Sequence, residues 1–330
     1  MQLSFGWNPT RSFAVLKTMS FIERPRRTGV VWNVLYGAKE LRAGWRFLIF
    51  LAIAFVLIAA GNAMITEARM ANDPAAVLLR KVVNFIGLVL ASIIMGGLER
   101  RTLADYGLPP RRAFGLRFWQ GTLLGFAGLT LLLALMRATG VYHINGVALH
   151  GAEAWKWAGV YGFAFVIVGL EEEFRYRGYT QFTLGSGIGF WPTALLFSAL
   201  FGFGHISNTG ETWVGALNAG VAGLVFALLL RRSGSLWLPI GTHAAWDWAE
   251  SYFYGVPDSG FVLPGHLLDS SFAGSKWLTG GSVGPEGSLL CTLVFAVIAG
   301  GAALWLRETR FPLPDHSLAG QASMKNLTGM

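Results

Sequence analysis

Charged residues and cysteine are both scarce in this sequence. Asp, Glu, Lys and Arg make up 13% of the 330 residues, whereas soluble domains carry about 25%. The single cysteine, Cys291, excludes an internal disulfide framework and a metal site built from several cysteines. Residues 1–40 lack a clear apolar segment of the kind found in cleavable signal peptides. We therefore expect no soluble domain, and we expect the first apolar run to act as an uncleaved anchor.

Apolar residues fill most of the chain. They account for 53% of it and give a mean hydropathy of +0.49. A bilayer core ~30 Å thick needs roughly 20 apolar residues per helical crossing. Eight runs approach that length, at residues 45–64, 82–98, 118–136, 158–184, 190–206, 213–230, 236–253 and 288–306. The sequence therefore predicts an all-α, polytopic transmembrane bundle of about eight helices, in which the 43 glycines allow close helix packing.

The distribution of Lys and Arg predicts the orientation of this bundle, because basic residues of short loops favour the cytoplasmic side. They are dense before the first run and after the second: Arg11, Lys17, Arg24, Arg26, Arg27, Lys39 and Arg42, then Arg100, Arg101, Arg111, Arg112 and Arg117. We expect both termini to be cytoplasmic, with Arg80 and Lys81 in the first outer loop. The net charge of +8 indicates contact with anionic lipid and not with nucleic acid, since no nucleic-acid module accompanies it.

The same pattern predicts the layout of the chain. Residues 1–44 form a basic cytoplasmic segment, residues 45–310 a single membrane domain with its catalytic core at about 158–253, and residues 311–330 a flexible tail. The outer segment 255–287, rich in Gly, Pro and Ser, is expected to be irregular.

Three predicted spans contain ionisable residues, which are rare inside membranes because inserting a charge costs at least ~2.5 kcal/mol. The fourth contains Glu171, Glu172, Glu173, Arg175 and Arg177, the fifth ends in Phe201 and His205, and the seventh contains His243 and Asp247. Residues four apart share a helix face, which pairs Glu173 with Arg177 and His243 with Asp247. Glu172 is turned ~100° from Glu173. We therefore assign Glu173 to structure and Glu172 to chemistry.

These side chains can meet if the fourth span continues past Arg177 to the glycines at 185–187. A rise of 1.5 Å per residue then places Glu172 ~18 Å, His205 ~22 Å and His243 ~13 Å from the cytoplasmic ends of their spans. We expect one buried cavity that is accessible from the cytoplasm.

A carboxylate and an imidazole that share a water molecule can act as its general base, while a second imidazole stabilises the oxyanion of an attacked carbonyl. The same set, Glu172, His205, His243 and Asp247, could hold a divalent metal such as zinc, with one position open for water. Both schemes hydrolyse peptide bonds, and the spacing does not separate them. Ser198 offers a serine nucleophile, but nothing nearby in the sequence would activate it.

The three motifs resemble those of the CAAX-processing and bacteriocin-processing (CPBP, or Abi) intramembrane proteases, a family that includes the eukaryotic CAAX prenyl endopeptidase. Its pattern of Glu-Glu-x-x-x-Arg, Phe-x-x-x-His and His-x-x-x-Asn/Asp corresponds to Glu172-Glu173 with Arg177, Phe201 with His205, and His243 with Asp247. The segment 103–108 also resembles one found upstream in bacterial members.

The resemblance implies that Glu172 and His205 activate water, that His243 and Asp247 hold the oxyanion, and that Glu173, Arg177 and Phe201 support the site. The family has been described both as metalloproteases and as metal-free glutamate proteases. Asp247 stands where eukaryotic members usually carry Asn, and an ionised Asp cannot donate a hydrogen bond to an oxyanion. Asp247 must therefore be protonated, orient His243 or bind metal.

The expected function is an intramembrane endopeptidase in a bacterial cytoplasmic membrane, acting on a CAAX-type, bacteriocin-like or membrane-anchored protein substrate. A non-catalytic scaffold or immunity protein of the same fold is the alternative. A transporter or proton relay ranks third, because the sequence shows no internal repeat. Asn208, Glu211 and Asn218 are expected to serve as helix caps or interhelical hydrogen bonds, and the histidines in loops and tail receive no role.

Overall fold

The computed structural model describes residues 29–37, 40–65, 74–208 and 210–312 of the chain. It is mostly helical (71%), as the all-α prediction requires. The helices, numbered in chain order, are α1 (Val30–Leu35), α2 (Ala43–Ala63), α3 (Pro74–Glu99), α4 (Leu116–Ala138), α5 (Gly151–Arg177), α6 (Tyr179–Ile188), α7 (Phe190–His205), α8 (Trp213–Ser233), α9 (Trp237–Trp248), α10 (Lys276–Thr279) and α11 (Leu289–Trp305). Most of the predicted basic segment 1–44 lies outside the described residues.

Four helices, α2, α3, α4 and α8, are long and apolar enough to cross a bilayer, and α11 is a shorter apolar helix. The chain is therefore an integral membrane protein. Within these helices, 17% of the most apolar stretch of α2 is buried, compared with 61% of that of α8, so α2 lies at the periphery and α8 near the centre. Eight crossings and cytoplasmic termini remain predictions.

The second span is longer than the sequence pattern predicts. The expectation that it begins at residue 82 is wrong, because α3 begins at Pro74. Proline is favoured in the first turn of a helix, where its missing N–H leaves no intrahelical bond unmade. Arg80 and Lys81 consequently lie within α3 and not in a loop.

Helices α4 and α9 meet with their backbones in direct contact, and glycines make this possible. A Cβ atom on Gly121 or Gly125 of α4 would lie 2.1 Å from Leu238 O or 2.0 Å from Thr242 O of α9. A Cβ on Gly241 of α9 would lie 2.2 Å from Phe118 O. Small residues at such contacts are typical of membrane helices, and here they fix the position of α9, which carries His243 and Asp247.

The fourth predicted span is interrupted, which corrects the expectation of one continuous helix through residue 184. Helix α5 ends at Arg177, and α6 begins after Gly178. A Cβ at Gly178 would lie 2.5 Å from Phe174 O, so only glycine fits this bend. The glycines at 185 and 187 belong to α6, and the turn into α7 is made by Gly189, whose φ is +92°.

The segment 255–287 is ordered, so the expectation of an irregular outer loop is wrong. Strand β1 (Tyr142–Val147) pairs with antiparallel β2 (Leu268–Phe272), and Tyr142 lies opposite Phe272. The segment also contains α10 and a 3-10 turn, Pro285–Gly287. The hydroxyl of Tyr161 on α5 donates to Pro264 O at 2.6 Å, which anchors the segment to the helix that carries Glu172.

The predicted tail boundary is also incorrect, because Phe311 is buried with 1% exposed and packs against Phe182 and Phe190. The remaining tail, 313–330, lies outside the described residues. The segment 103–108 helps to position the start of α9, since Gly107 O accepts a hydrogen bond of 2.7 Å from the Leu236 N–H. Pro109, which directly follows this segment, accepts a second hydrogen bond at its carbonyl oxygen, from the indole N–H of Trp237 at 3.0 Å.

Candidate active site

Glu172 lies near the end of α5, five residues before Arg177, and its side chain is 18% exposed. Its carboxylate forms an ion pair with Nζ of Lys81 on α3. The second oxygen, Oε2, is 3.8 Å from Nε2 of His243 on α9. The carboxylate that the sequence assigns to chemistry is thus held between a lysine and an imidazole.

His243 is surrounded by three carboxylates. Its Nδ1 is 3.0 Å from Oε1 of Glu173, and its Nε2 is 3.6 Å from Oδ2 of Asp247 and 3.8 Å from Glu172. A carboxylate accepts hydrogen bonds, so Nδ1 carries a proton and donates it to Glu173. The ring stacks on Phe226 of α8 at 5.1 Å. These contacts fix both the orientation of the imidazole and the direction of Nε2.

Glu173 and Arg177 form the ion pair that their spacing predicts, with Nη1 of Arg177 3.2 Å from Oε1 of Glu173. Both side chains are buried, with 1% of Arg177 and 0% of Glu173 exposed. The guanidinium also lies over the ring of Phe201 at 4.8 Å. On α8, a Cβ at Gly223 would lie 2.5 Å from Nη2 of Arg177. Gly223 therefore provides the room that the buried guanidinium needs.

His205 occupies the last residue of α7, and its Nδ1 lies 2.8 Å from Phe201 O. A carbonyl only accepts, so Nδ1 carries the proton and Nε2 is the available base. The rings of His205 and His243 both adjoin the ring of Phe201, at 4.6 Å and 6.1 Å between centroids. The structure thus groups His205 with the other predicted residues around Phe201, while the direct contacts of Glu172 are with Lys81 and His243.

Lys81 is the site residue that the sequence pattern misses. It contacts both Glu172 and Oε2 of Glu171, the latter at 3.2 Å. Glu171 is also paired with Arg175 one turn later on α5. The sequence does contain a signal that could have found Lys81. Proline is favoured at the first position of a helix, so Pro74 predicts a helix that begins there and includes Lys81.

The other polar residues have structural contacts. The Asn218 side chain on α8 donates to Glu286 O at 2.7 Å and Ser288 O at 2.9 Å, and its Oδ1 accepts from the Thr292 hydroxyl of α11 at 2.6 Å. The bond from Thr292 is the interhelical hydrogen bond predicted for Asn218. Asn208 contributes its N–H to His205 O, and the carboxylate of Glu211 accepts from the Thr212 N–H. Burial raises the pKa of Glu211 above its usual range. Ser198 is buried, and its Oγ has no hydrogen-bond partner among the described residues.

The predicted metal ligands do not fit a metal ion as they are placed. Among the described residues, Glu250, Asp258 and Glu286 are the group whose ligand atoms all lie within 4.8 Å of one another. No three of Glu172, His205, His243 and Asp247 meet that distance. The ammonium group of Lys81 also contacts the carboxylate that would have to bind the metal.

Comparison with known families supports the resemblance seen in the motifs. Residues 154–249 match the family model described as type II CAAX prenyl endopeptidase Rce1-like. This matched segment runs from α5 to the end of α9, so it contains all three motifs of the site. The match confirms the predicted resemblance to the CPBP proteases over these residues. No curated protein and no solved structure matches the chain.

Proposed function

We propose that this protein is an intramembrane endopeptidase in which Glu172 and His205 activate water and His243 stabilises the oxyanion. The observation that supports it most is the pairing of Glu172 with His243 across α5 and α9, with Glu173 fixing the other ring nitrogen at 3.0 Å. A carboxylate beside oriented imidazoles on buried helices has the parts that water activation and oxyanion stabilisation need.

Glu172 is the proposed general base. Lys81 favours its charged form, so the carboxylate is ready to accept a proton from water. The proton acceptor of His205, Nε2, is left free by the bond from Nδ1 to Phe201 O and would hold the same water. The resulting hydroxide attacks the carbonyl carbon of the peptide bond. The proton taken up then passes to the leaving nitrogen as the bond breaks.

His243 is the proposed oxyanion donor. Because Nδ1 already donates to Glu173, donation from Nε2 requires the imidazolium form, with a proton on each nitrogen. The three surrounding carboxylates stabilise that positive charge. In this scheme Asp247, 3.6 Å from Nε2, orients the ring and favours its charged form without touching the oxyanion. An acidic residue can therefore serve where eukaryotic members usually carry Asn.

The proposed substrates are proteins or peptides held at the membrane, with CAAX-type sequences as the first class to test because the matched family is described by that activity. A bacteriocin-like or other membrane-anchored substrate is the second class. In each case the lipid bilayer would present the scissile bond to buried side chains.

The test is hydrolysis by the purified protein in proteoliposomes. Three probes would be used: a farnesylated CAAX peptide, the same peptide without the lipid, and a peptide joined to a transmembrane anchor. Products would be identified by mass spectrometry in ¹⁸O-labelled water, where hydrolysis places one label in the new carboxylate. The inactive reference is Glu172→Gln. Its matched control is Glu153→Gln on the same helix, where the side chain is 59% exposed.

Cleavage of at least one probe by the wild type and by Glu153→Gln, and not by Glu172→Gln, is the expected result. Equal cleavage by wild type and Glu172→Gln would contradict the assignment of the base. If the folded wild-type protein cleaves none of the probes, the protease hypothesis is rejected for these substrates, and the non-catalytic scaffold becomes the favoured function.

A further inference from the structure

Three carboxylates meet at the end of α9, outside the segment that matches the family model. Glu250 belongs to the π-helical turn Ala249–Phe253 that continues α9, Asp258 to the following loop, and Glu286 to the 3-10 turn before α11. One oxygen from each lies within 4.8 Å of the other two. We call these three residues the acidic loop cluster.

Glu250 is the member that points to a missing partner. Its side chain is 0% exposed, and neither oxygen has a hydrogen-bond partner among the described residues. The indole of Trp246, one turn earlier on α9, donates to Glu286 Oε1 at 3.1 Å. A buried carboxylate without a partner is costly, so the cluster needs a cation or protons to complete it.

The other two members are held in place by hydrogen bonds. Ser251 Oγ donates to Asp258 Oδ2 at 2.9 Å, and Ser259 donates from both its N–H and its hydroxyl to Glu286 Oε2. No Lys, Arg or His forms an ion pair with any member among the described residues. The described residues therefore provide oriented oxygen ligands without a basic side chain paired to them.

We propose that Glu250, Asp258 and Glu286 bind a divalent cation, with calcium as the preferred ion. The ligands are all carboxylate oxygens, which are the donors that hard cations select, and calcium accepts irregular oxygen geometry more readily than magnesium. Loop carbonyls and water would complete its coordination. Zinc is disfavoured because the cluster offers neither nitrogen nor sulfur.

The bound cation would join the loop to the catalytic helices. Glu250 follows Asp247 by three residues on the continuation of α9, and Glu286 contacts α9 through Trp246 and α8 through Asn218. The loop is closely packed here, since a Cβ at Gly284, where φ is +96°, would lie 2.2 Å from Pro257 O. The cation is thus a structural clamp and takes no part in the hydrolysis.

Protonation is the competing way to neutralise the cluster. Burial raises the pKa of Asp258 well above its usual range, and the nearby charges of Asp247 and Glu286 raise it further. A cluster that holds protons has no use for calcium, whereas a cluster that binds calcium releases them. Direct binding measurements distinguish these states.

The first test uses the wild-type protein in detergent after treatment with EDTA. Terbium, a luminescent substitute for calcium, would be added and then displaced with calcium. Trp246 lies next to Glu286 and would sensitise its emission. We expect saturable emission that calcium reverses at lower concentration than magnesium, and thermal unfolding that shifts upward with calcium. No calcium-sensitive emission and no shift would overturn the proposal.

The second test assigns the ion to these residues. Glu250→Gln keeps the shape of the side chain, and Asp269→Asn, an exposed acid in β2, is the matched control. Calcium should bind at least ~10-fold more weakly to Glu250→Gln and unchanged to Asp269→Asn, since ligand charge sets affinity. Glu172→Ala separates the sites, because it should retain calcium even if it is inactive. Equal binding by wild type and Glu250→Gln would contradict the assignment, and Glu286→Gln provides an independent variant if Glu250→Gln unfolds.

Discussion

Two groups of carboxylates, one on α5 and one around the end of α9, differ in the partners that neutralise them. In the carboxylate triplet Glu171, Glu172 and Glu173, every member contacts a basic side chain. In the acidic loop cluster, defined above, the described residues supply none. The triplet lies in the segment that matches the protease family model, and the loop cluster lies beyond it.

The two groups illustrate two ways of stabilising negative charge in a low-dielectric interior: with a basic side chain of the protein, or with protons or a cation from solution. A fixed Lys or Arg keeps a carboxylate ionised and fixes its direction before water binds, so that the carboxylate can accept the proton of that water. A cluster without such a partner depends on something from solution, so its state changes with conditions. Predictions that remove one charge from either group test this distinction.

Glu172→Gln should have the largest effect on activity. The amide keeps the size of the carboxylate but cannot accept a proton from water, so kcat should fall by about 10⁴-fold, equivalent to ~5.5 kcal/mol of barrier. The fold should persist, as checked by circular dichroism and thermal unfolding. A loss of only a few fold in a folded variant would show that another group is the base.

Arg177→Met should have the largest effect on stability. It leaves Glu173 buried without its cation, and breaking such a pair costs about 4 kcal/mol in unfolding free energy, measurable by SDS titration in mixed micelles. Arg112→Met, in an exposed turn, is the control. Combining Arg177→Met with Glu173→Gln should recover much of the loss, because the unpaired charge is then gone. No recovery would show that packing of the guanidinium against Phe201 matters more than the ion pair.

Lys81→Met tests whether the triplet needs its third cation. Glu171 retains Arg175 in this variant, whereas Glu172 loses its cationic partner. We expect kcat to fall by about 10- to 100-fold, the scale of one positioned charge, with a smaller change in KM. Lys81→Arg should recover part of the activity, and Lys156→Met, with its side chain 59% exposed, should match wild type. A change in KM alone would assign Lys81 to substrate binding.

The sequence predicts the helices well because a membrane span has a strong signal of length and hydropathy. Each predicted apolar run falls in helical structure, yet the pattern misses the start of α3 and the bend at Gly178, which divides the run 158–184 between α5 and α6. Both depend on single residues, Pro74 and Gly178, whose effect is local and not averaged over a span. The ordered segment 255–287 escapes it too, since its pairing with residues 142–147 is non-local.

The candidate site is predictable to the extent that it follows helix spacing. Arg177 pairs with Glu173, and His243 lies beside Asp247, as four-residue spacing requires. The contact of His243 with Glu173 crosses between helices, so no spacing within one helix reveals it. The same reason hides Lys81, which comes from α3, and the acidic loop cluster, whose members come from three separate elements.

Asp247→Asn should have the smallest effect and is the sharpest test of how His243 works. If Asp247 only orients and charges the imidazole from 3.6 Å, Asn keeps the contact and loses part of the attraction. Activity should then fall by less than ~10-fold, under ~1.4 kcal/mol, and Asp247→Ala should lose more. The assay is the same hydrolysis in proteoliposomes, with bound metal measured by mass spectrometry on the same preparations. A loss near that of Glu172→Gln, together with the loss of a bound metal, would identify Asp247 as a ligand. Wild-type activity in both variants would show that Glu173 alone is sufficient to orient the ring.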